Sequence, residues 1–140
     1  MVKHQSLNEI VNFRPTTDTV TSDVDNVFSG IYSSASGTID LTSLTNSLGA
    51  SLDLTNERIM AMKVKAKSNN AGTITIDSAT TNSYALLGAA YSFTLSKNQS
   101  LLYKCDTALA DISASNLNID YSMTDATDTL YVLLISAELY

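Results

Sequence analysis

The sequence predicts an all-β protein, an antiparallel β-sandwich of jelly-roll type with about eight to ten short strands and an extended N-terminal arm. Short segments alternate apolar and polar residues between polar turns. No segment after residue 26 shows the repeat of about 3.6 residues that marks an amphipathic helix. Ser and Thr supply roughly a quarter of the 140 residues, against one proline and five glycines. This composition favours strands and polar turns.

Residues 1–26 are predicted to form an arm, and residues 27–140 the sandwich domain. The stretch "RPTTDTVTSDVDN" is dense in side chains that compete with strand pairing for backbone hydrogen bonds. One helical turn is expected around Leu7 to Val11. Either the arm becomes ordered on a neighbouring subunit or it is a frayed terminus. Phe13 and Arg14 are its candidate partner-contact residues.

The first strands are predicted in "VFSGIYSS", "GTIDLTSL" and "ASLDLT", each with apolar residues at alternate positions. The segment from about Arg58 to Lys67 contains "MAMKVKAK", in which Met60, Ala61 and Met62 precede an alternation of lysines with Val and Ala. It ends at "SNNAG", a turn sequence whose residues tolerate positive φ.

The second half continues the strand pattern through "TITID", "YALLG", "YSFTLS", "LLYKC", "NLNIDYSM" and "TLYVLLISAELY", with a turn at "KNQ". The last strand, Leu130 to Ala137, is nearly continuous in apolar residues. Such a strand is covered on both faces. We expect it to lie in the centre of the sandwich or beneath another subunit.

Charge and hydropathy restrict the classes of partner. A net charge of −6 and a pI near 4.4 argue against nucleic acid, because binding to phosphates requires a basic surface. No secretory signal is recognisable, and the longest apolar run, Leu130 to Ile135, is too short to span a membrane. We therefore expect synthesis in a cytoplasm and no membrane partner. The single cysteine, Cys105, excludes an intrachain disulfide.

Basic residues are concentrated in one predicted strand. On a strand, Lys63, Lys65 and Lys67 point to one side about 6.6 Å apart, and Arg58 lies close by in sequence. The lysines form either a solvated face that discourages edge-to-edge aggregation or a cationic seam that meets an acidic partner. Phosphate binding by one cationic strand in an acidic domain would be weak. Arg58, Lys63, Lys65 and Lys67 are the candidate partner-contact residues of the domain.

The sequence offers little catalytic chemistry. His4 and Cys105 are single and distant from each other in sequence, and no nucleophile, metal or phosphate-loop motif occurs. We expect no enzyme activity, cofactor or catalytic residue. Asp120, Asp125 and Asp128 could approach a Ca²⁺ ion, but turn capping is the favoured interpretation. The tyrosines of the second half could line a sugar-binding face, although packing in the core or an interface is favoured.

Three segments carry a resemblance to a known class of proteins: "GTIDLTSLTNSLGASLDLTNERIMAMKVKAKSNNAGTITI", "FTLSKNQSLLYKC" and "NLNIDYSMTDATDTLYVLLISA". Their order is similar to that of small tailed-bacteriophage proteins that decorate or cement the capsid. Many of those proteins have a Pro-Gly turn where this chain has Lys97-Asn98-Gln99. The resemblance implies a jelly roll, a location in the virion, a homotrimer and a major capsid protein as partner. It implies no catalytic positions.

Three functions follow as hypotheses. The first is a non-enzymatic capsid decoration or cement protein that uses the arm and the lysines for contact. The second is a host-recognition domain of a phage fibre or spike, whose tyrosine-rich half binds a glycan. The third is a small glycan-processing enzyme with paired carboxylates.

Overall fold

The computed structural model describes residues 26–104 and 109–138. These residues form ten strands joined by turns and loops, and no helix occurs in either range, so neither range contains a helix that could cross a membrane. The strands are β1 (Asn26–Tyr32), β2 (Ser36–Asp40), β3 (Leu44–Thr45), β4 (Ser51–Leu52), β5 (Arg58–Ala66), β6 (Ile74–Ser78), β7 (Ser92–Leu95), β8 (Ser100–Lys104), β9 (Asn118–Met123) and β10 (Leu130–Ala137). Residues 1–25 of the predicted arm, with Phe13 and Arg14, lie outside the described residues, as do His4 and Cys105, whereas Asn26 already belongs to β1.

Two four-stranded antiparallel sheets make up the body. Sheet A has the order β1-β10-β5-β8, and sheet B has the order β2-β9-β6-β7. The short strands β3 and β4 form a separate hairpin, which the backbone N–H of Ser47 joins to the carbonyl of Ser29 in β1 at 2.9 Å. The predicted all-β antiparallel sandwich is confirmed.

The inward sides of both sheets share one hydrophobic core. Strand alternation sends every second residue of each strand into it. Removal of this apolar surface from water is the main stabilising contribution, at about 25 cal/mol per Å². Sheet A contributes Phe28, Ile59, Met62, Val64, Leu130, Val132 and Leu134, and sheet B contributes Ile39, Ile74, Ile76, Leu95, Ile119, Tyr121 and Met123.

Strand β10 lies between β1 and β5 in the middle of sheet A. Its inward residues belong to the common core, whereas Leu133 and Ile135 belong to a second, smaller apolar cluster. The strand is apolar along its length because both of its faces pack against other side chains. The prediction of a central position is confirmed.

Strand β5 departs from the alternation seen in the sequence. Ile135 pairs with Ala61, but the next residue, Ser136, pairs with Ile59, so that Met60 is an extra residue in β5. Such a β-bulge changes the face to which the following residues point. Ile59 and Met62 therefore pack in the common core, while Ala61 joins the outer cluster with Met60.

The segment "YALLG" is not a strand, contrary to the prediction from its sequence. Tyr84 and Leu86 are buried, but the segment makes only isolated bridges, and Gly88 has a φ of 113°. The Tyr84 hydroxyl donates to the carbonyl of Ala110 at 3.1 Å and accepts from the N–H of Ile59 at 3.3 Å. The segment therefore contributes two buried side chains to the core without forming a strand.

Candidate functional site

The outward side of sheet A carries both apolar and cationic side chains. The strand registers place its residues in three rows that run across β1, β10, β5 and β8. We call this surface the outer face of sheet A. Its rows are Val27–Ile135–Ala61–Lys104, Ser29–Leu133–Lys63–Leu102 and Ile31–Tyr131–Lys65–Ser100.

The apolar part of this face is continuous across the sheet. Ala61 and Ile135 are almost fully buried and pack with Met60, Leu102 and Leu133. At the β1 edge, by contrast, Val27 and Ile31 are 47% and 50% exposed. A sheet face turned toward water is usually polar. The outer face of sheet A instead combines this apolar cluster with cationic and hydroxyl side chains.

Lys63 and Lys65 lie within this apolar face. Lys63 stands between Leu133 and Leu102, and Lys65 is paired on one side with Tyr131. Both lysines are partly buried, because their aliphatic stems lie alongside apolar neighbours. The alternation in the sequence thus predicted their common face correctly, but the face is not a purely solvated one.

Lys67 and Arg58 occupy the two ends of β5. Lys67 follows the last residue of the strand, and its backbone N–H donates to the carbonyl of Thr129 at 3.1 Å. Arg58 begins the strand, and its guanidinium forms an ion pair with Asp111. Arg58 therefore has an acidic partner within the chain and lies at the end of β5 opposite to Lys67.

The outward side of sheet B has the opposite character. Its two central rows contain only hydroxyl and carboxylate side chains, with Asp120 and Asp77 directly opposite each other on β9 and β6. We call this surface the outer face of sheet B. Its rows are Thr38–Asp120–Asp77–Ser92 and Ser36–Ser122–Thr75–Thr94.

An open groove of about 820 Å³ lies on the outer face of sheet B. Asp77 and Asp120 are among its lining residues, together with hydroxyl side chains from β2, β7 and β9 and with Tyr91. The Thr38 hydroxyl donates to Asp120 Oδ1 at 2.7 Å, and the N–H of Thr80 donates to Oδ2 at 3.4 Å. Asp120 is therefore held in one orientation.

The charges of both carboxylates affect the pKa of Tyr91. Its hydroxyl donates to the carbonyl of Tyr84 at 3.2 Å. Burial, and after it the charges of Asp120 and Asp77, raise the pKa of Tyr91 well above its ordinary value. Sequence reasoning missed this pair because only the β6–β9 register brings Asp77 to Asp120.

The predicted preference for turn capping over Ca²⁺ binding agrees with the geometry of the other two aspartates. Asp128 is buried and accepts from the N–H groups of Ala71 at 2.8 Å and Gly72 at 3.1 Å. Asp125 accepts from Thr127, which lowers the pKa of Asp125. Within 26–104 and 109–138, no group of three His, Cys, Asp or Glu could hold a metal ion.

The tyrosines serve mainly in packing. Tyr84 and Tyr121 are buried in the common core, and Tyr32, Tyr91 and Tyr103 pack against it. Tyr131 alone among those described lies on the outer face of sheet A, paired with Lys65. The favoured interpretation of tyrosine as a packing residue is confirmed for this part of the chain.

No protein-family model matches the chain, and no curated protein matches it.

Proposed function

We propose that the chain is a non-enzymatic structural protein of a virion, a decoration or cement protein that stabilises a phage head by contact. The observation that carries the proposal is the outer face of sheet A. Leu102, Leu133 and Ile135 belong to an apolar cluster outside the common core, and Lys63 and Lys65 of β5 lie on the same face. A protein that acts by adhesion needs a surface of this chemistry.

The proposed occupant of this face is an apolar and acidic surface on the major capsid protein. Lysine side chains on this face favour a partner that supplies negative charge, because complementary charge sets the choice of partner. The same face of a second copy fits poorly, because it would bring lysines against lysines. The homotrimer implied by the resemblance would then form through other surfaces.

The order of the strands supports the jelly-roll type. When the β3–β4 hairpin is left aside, the eight remaining strands divide into the sheets β1-β10-β5-β8 and β2-β9-β6-β7. In each sheet the late strands β9 and β10 lie between earlier ones, as two successive Greek keys require. Viral capsid domains use this architecture, among many other proteins.

The shell would be stabilised by thermodynamic linkage between binding of this protein and assembly of the shell. A protein that binds the assembled shell more tightly than its separate subunits shifts the equilibrium toward the shell. Repetition of the contact over many copies increases the total effect even when each contact is weak.

The test compares particles produced with and without the gene for this chain by cryo-electron microscopy. We expect density for the chain on the head, and particles that lack it to break at a lower temperature. Density on a tail fibre or spike would favour the second candidate, a host-recognition domain, for which the groove of sheet B is the supporting observation. Absence of the chain from particles would contradict both.

A residue-level test changes Lys63, Lys65 and Lys67 together to Ser. We expect a folded protein with at least tenfold weaker binding to depleted particles, because three charges that face the partner are lost. Lys97 lies in an exposed turn beyond the end of β5, where the N–H of Asn98 donates to the carbonyl of Lys67 at 3.3 Å. Lys97→Ser compared with Lys63→Ser therefore distinguishes a charge beside the face from a charge within it. Equal occupancy for the triple variant and the unchanged protein would leave the lysines as a solvated face only.

A further inference from the structure

We propose that the groove on the outer face of sheet B is a binding site for a neutral saccharide. The inference does not depend on where in a virion the chain is located. It rests on the open shape of the groove and on the chemistry of its lining. The groove, of about 820 Å³, is open to solvent, which suits a polar ligand that keeps one side in water.

The paired carboxylates are the central feature. Asp77 and Asp120 are directly opposite each other on neighbouring strands, an arrangement of like charges that destabilises a sheet. None of the residues that line the groove is a lysine, an arginine or a histidine that could compensate for it. Two adjacent acceptors without a cationic partner are suited to a ligand that brings hydrogen-bond donors.

The remainder of the lining suits a polyhydroxylated ligand. Thr38 and Thr80 fix the orientation of the Asp120 carboxylate. Its remaining lone pairs are therefore in fixed positions in which they can accept hydrogen bonds from a ligand. Hydroxyl groups can donate as well as accept, and here they come from several elements around the groove. Tyr91 adds ring surface, and aromatic rings pack against the apolar faces of ligands. The lining hydroxyl residues are Ser36, Thr38, Ser78, Thr80, Ser92 and Ser122.

Other ligand classes fit less well. An anion would be repelled by two carboxylates. The groove is far larger than a metal ion, and no third carboxylate, histidine or cysteine completes a metal site within the described ranges. A neutral sugar satisfies the carboxylates with its hydroxyl protons and adds no charge to the groove.

The experiment uses the purified full chain on an array of neutral and acidic saccharides, followed by titration of free galactose, N-acetylglucosamine oligomers and sialyllactose. We expect binding of at least one neutral saccharide and no binding of sialyllactose. Asp77→Asn and Asp120→Asn should each weaken binding at least tenfold. Asp77→Asn should leave the melting temperature unchanged or higher, because it relieves the repulsion between like charges.

Asp53→Asn is the matched control. It removes the same charge from an exposed turn away from the groove, and asparagine can still accept the hydrogen bonds from Thr55. Binding by this variant should be unchanged. The proposal is overturned if no neutral saccharide binds, if Asp77→Asn binds as well as the unchanged chain, or if Ca²⁺ alone occupies the groove. Release of a cleaved sugar would replace it with the enzyme hypothesis.

Discussion

At the residue scale, Asp128 has the clearest structural role. Its buried carboxylate follows the turn before β10 and accepts backbone N–H groups from the loop after β5. Beside it, Asn70 and Thr129 exchange two hydrogen bonds, at 3.0 and 2.9 Å. Gly72 is required here, because a Cβ atom at this position would lie 2.2 Å from the Thr124 hydroxyl oxygen. Together these contacts fasten two loops that are distant in sequence.

Asp128→Ala should destabilise the protein by about 3 kcal/mol, because it removes charge-assisted hydrogen bonds and leaves backbone donors without an acceptor. Urea denaturation measures the loss of free energy of unfolding. Asp125→Ala is the control, since the Asp125 carboxylate accepts from Thr127 in its own turn. This variant should lose clearly less free energy of unfolding. Equal losses in the two variants would show that Asp128 does not hold the loops together.

At the scale of strands, alternation predicted most elements but not the pairing between them. The bulge at Met60 exists because β5 is fitted to β10, a strand from the other end of the chain. A local pattern does not contain this register. "YALLG" resembles a strand because its apolar residues are spaced for burial, yet Tyr84 and Leu86 reach the core from an irregular segment.

Strand β1 shows why the orientation of a strand is hard to infer from its own sequence. One face of the strand carries Phe28 and Gly30, and the other carries Val27 and Ile31. From the sequence alone, the face with Val27 and Ile31 is the more apolar and would be expected to point into the core. The structure buries Phe28 and leaves Val27 and Ile31 outward. A Cβ atom on Gly30 would lie 2.5 Å from Cζ of Phe28, so the glycine is needed where the ring lies against the backbone.

The end of β1 also provides a contact between the sheets that responds to pH. The rings of Tyr32 in β1 and Tyr121 in β9 are 5.4 Å apart at 59°. Burial, and then the nearby Tyr121, raise the pKa of Tyr32 from 10.0 to about 12. Because the folded state keeps the proton more tightly, this contribution to stability is complete below pH 10.0 and is lost as pH rises toward about 12.

Tyr32→Phe should therefore reduce the alkaline loss of stability. We expect urea midpoints just below pH 10.0 and near pH 12 to differ less in the variant than in the unchanged protein. Part of the loss should remain, because the pKa of Tyr91 is raised as well. Tyr131→Phe, on the outer face of sheet A, is the control. An identical alkaline loss in Tyr32→Phe would show that Tyr32 does not titrate differently in the folded state.

At the scale of the whole molecule, the sandwich has two unlike surfaces. The outer face of sheet A combines apolar residues with Lys63 and Lys65, and the outer face of sheet B is built from hydroxyl groups and carboxylates. The common face of the lysines followed from a period of two residues. The pairing of Asp77 with Asp120 could not be predicted in this way, because the two residues are distant in sequence and become neighbours only when β6 pairs with β9. A protein with such faces can adhere through one and present the other to solvent.

The two faces should differ in their response to salt. Adhesion through lysines to an acidic partner weakens as salt screens the charges, whereas binding of a neutral saccharide involves no net charge on the ligand. We expect particle binding to fall at least tenfold between low salt and about 1 M salt, where the Debye length is about 3 Å. Saccharide affinity should change less than twofold over the same range.

Both measurements use the same preparation of full-length chain, with the Lys63, Lys65 and Lys67 variant as reference. In that variant the salt dependence of particle binding should be much smaller, and saccharide affinity should match that of the unchanged protein. A salt response that persists in the variant would place the charged contact elsewhere on the molecule. A parallel fall of both affinities would show that the outer faces of sheets A and B do not act as separate sites.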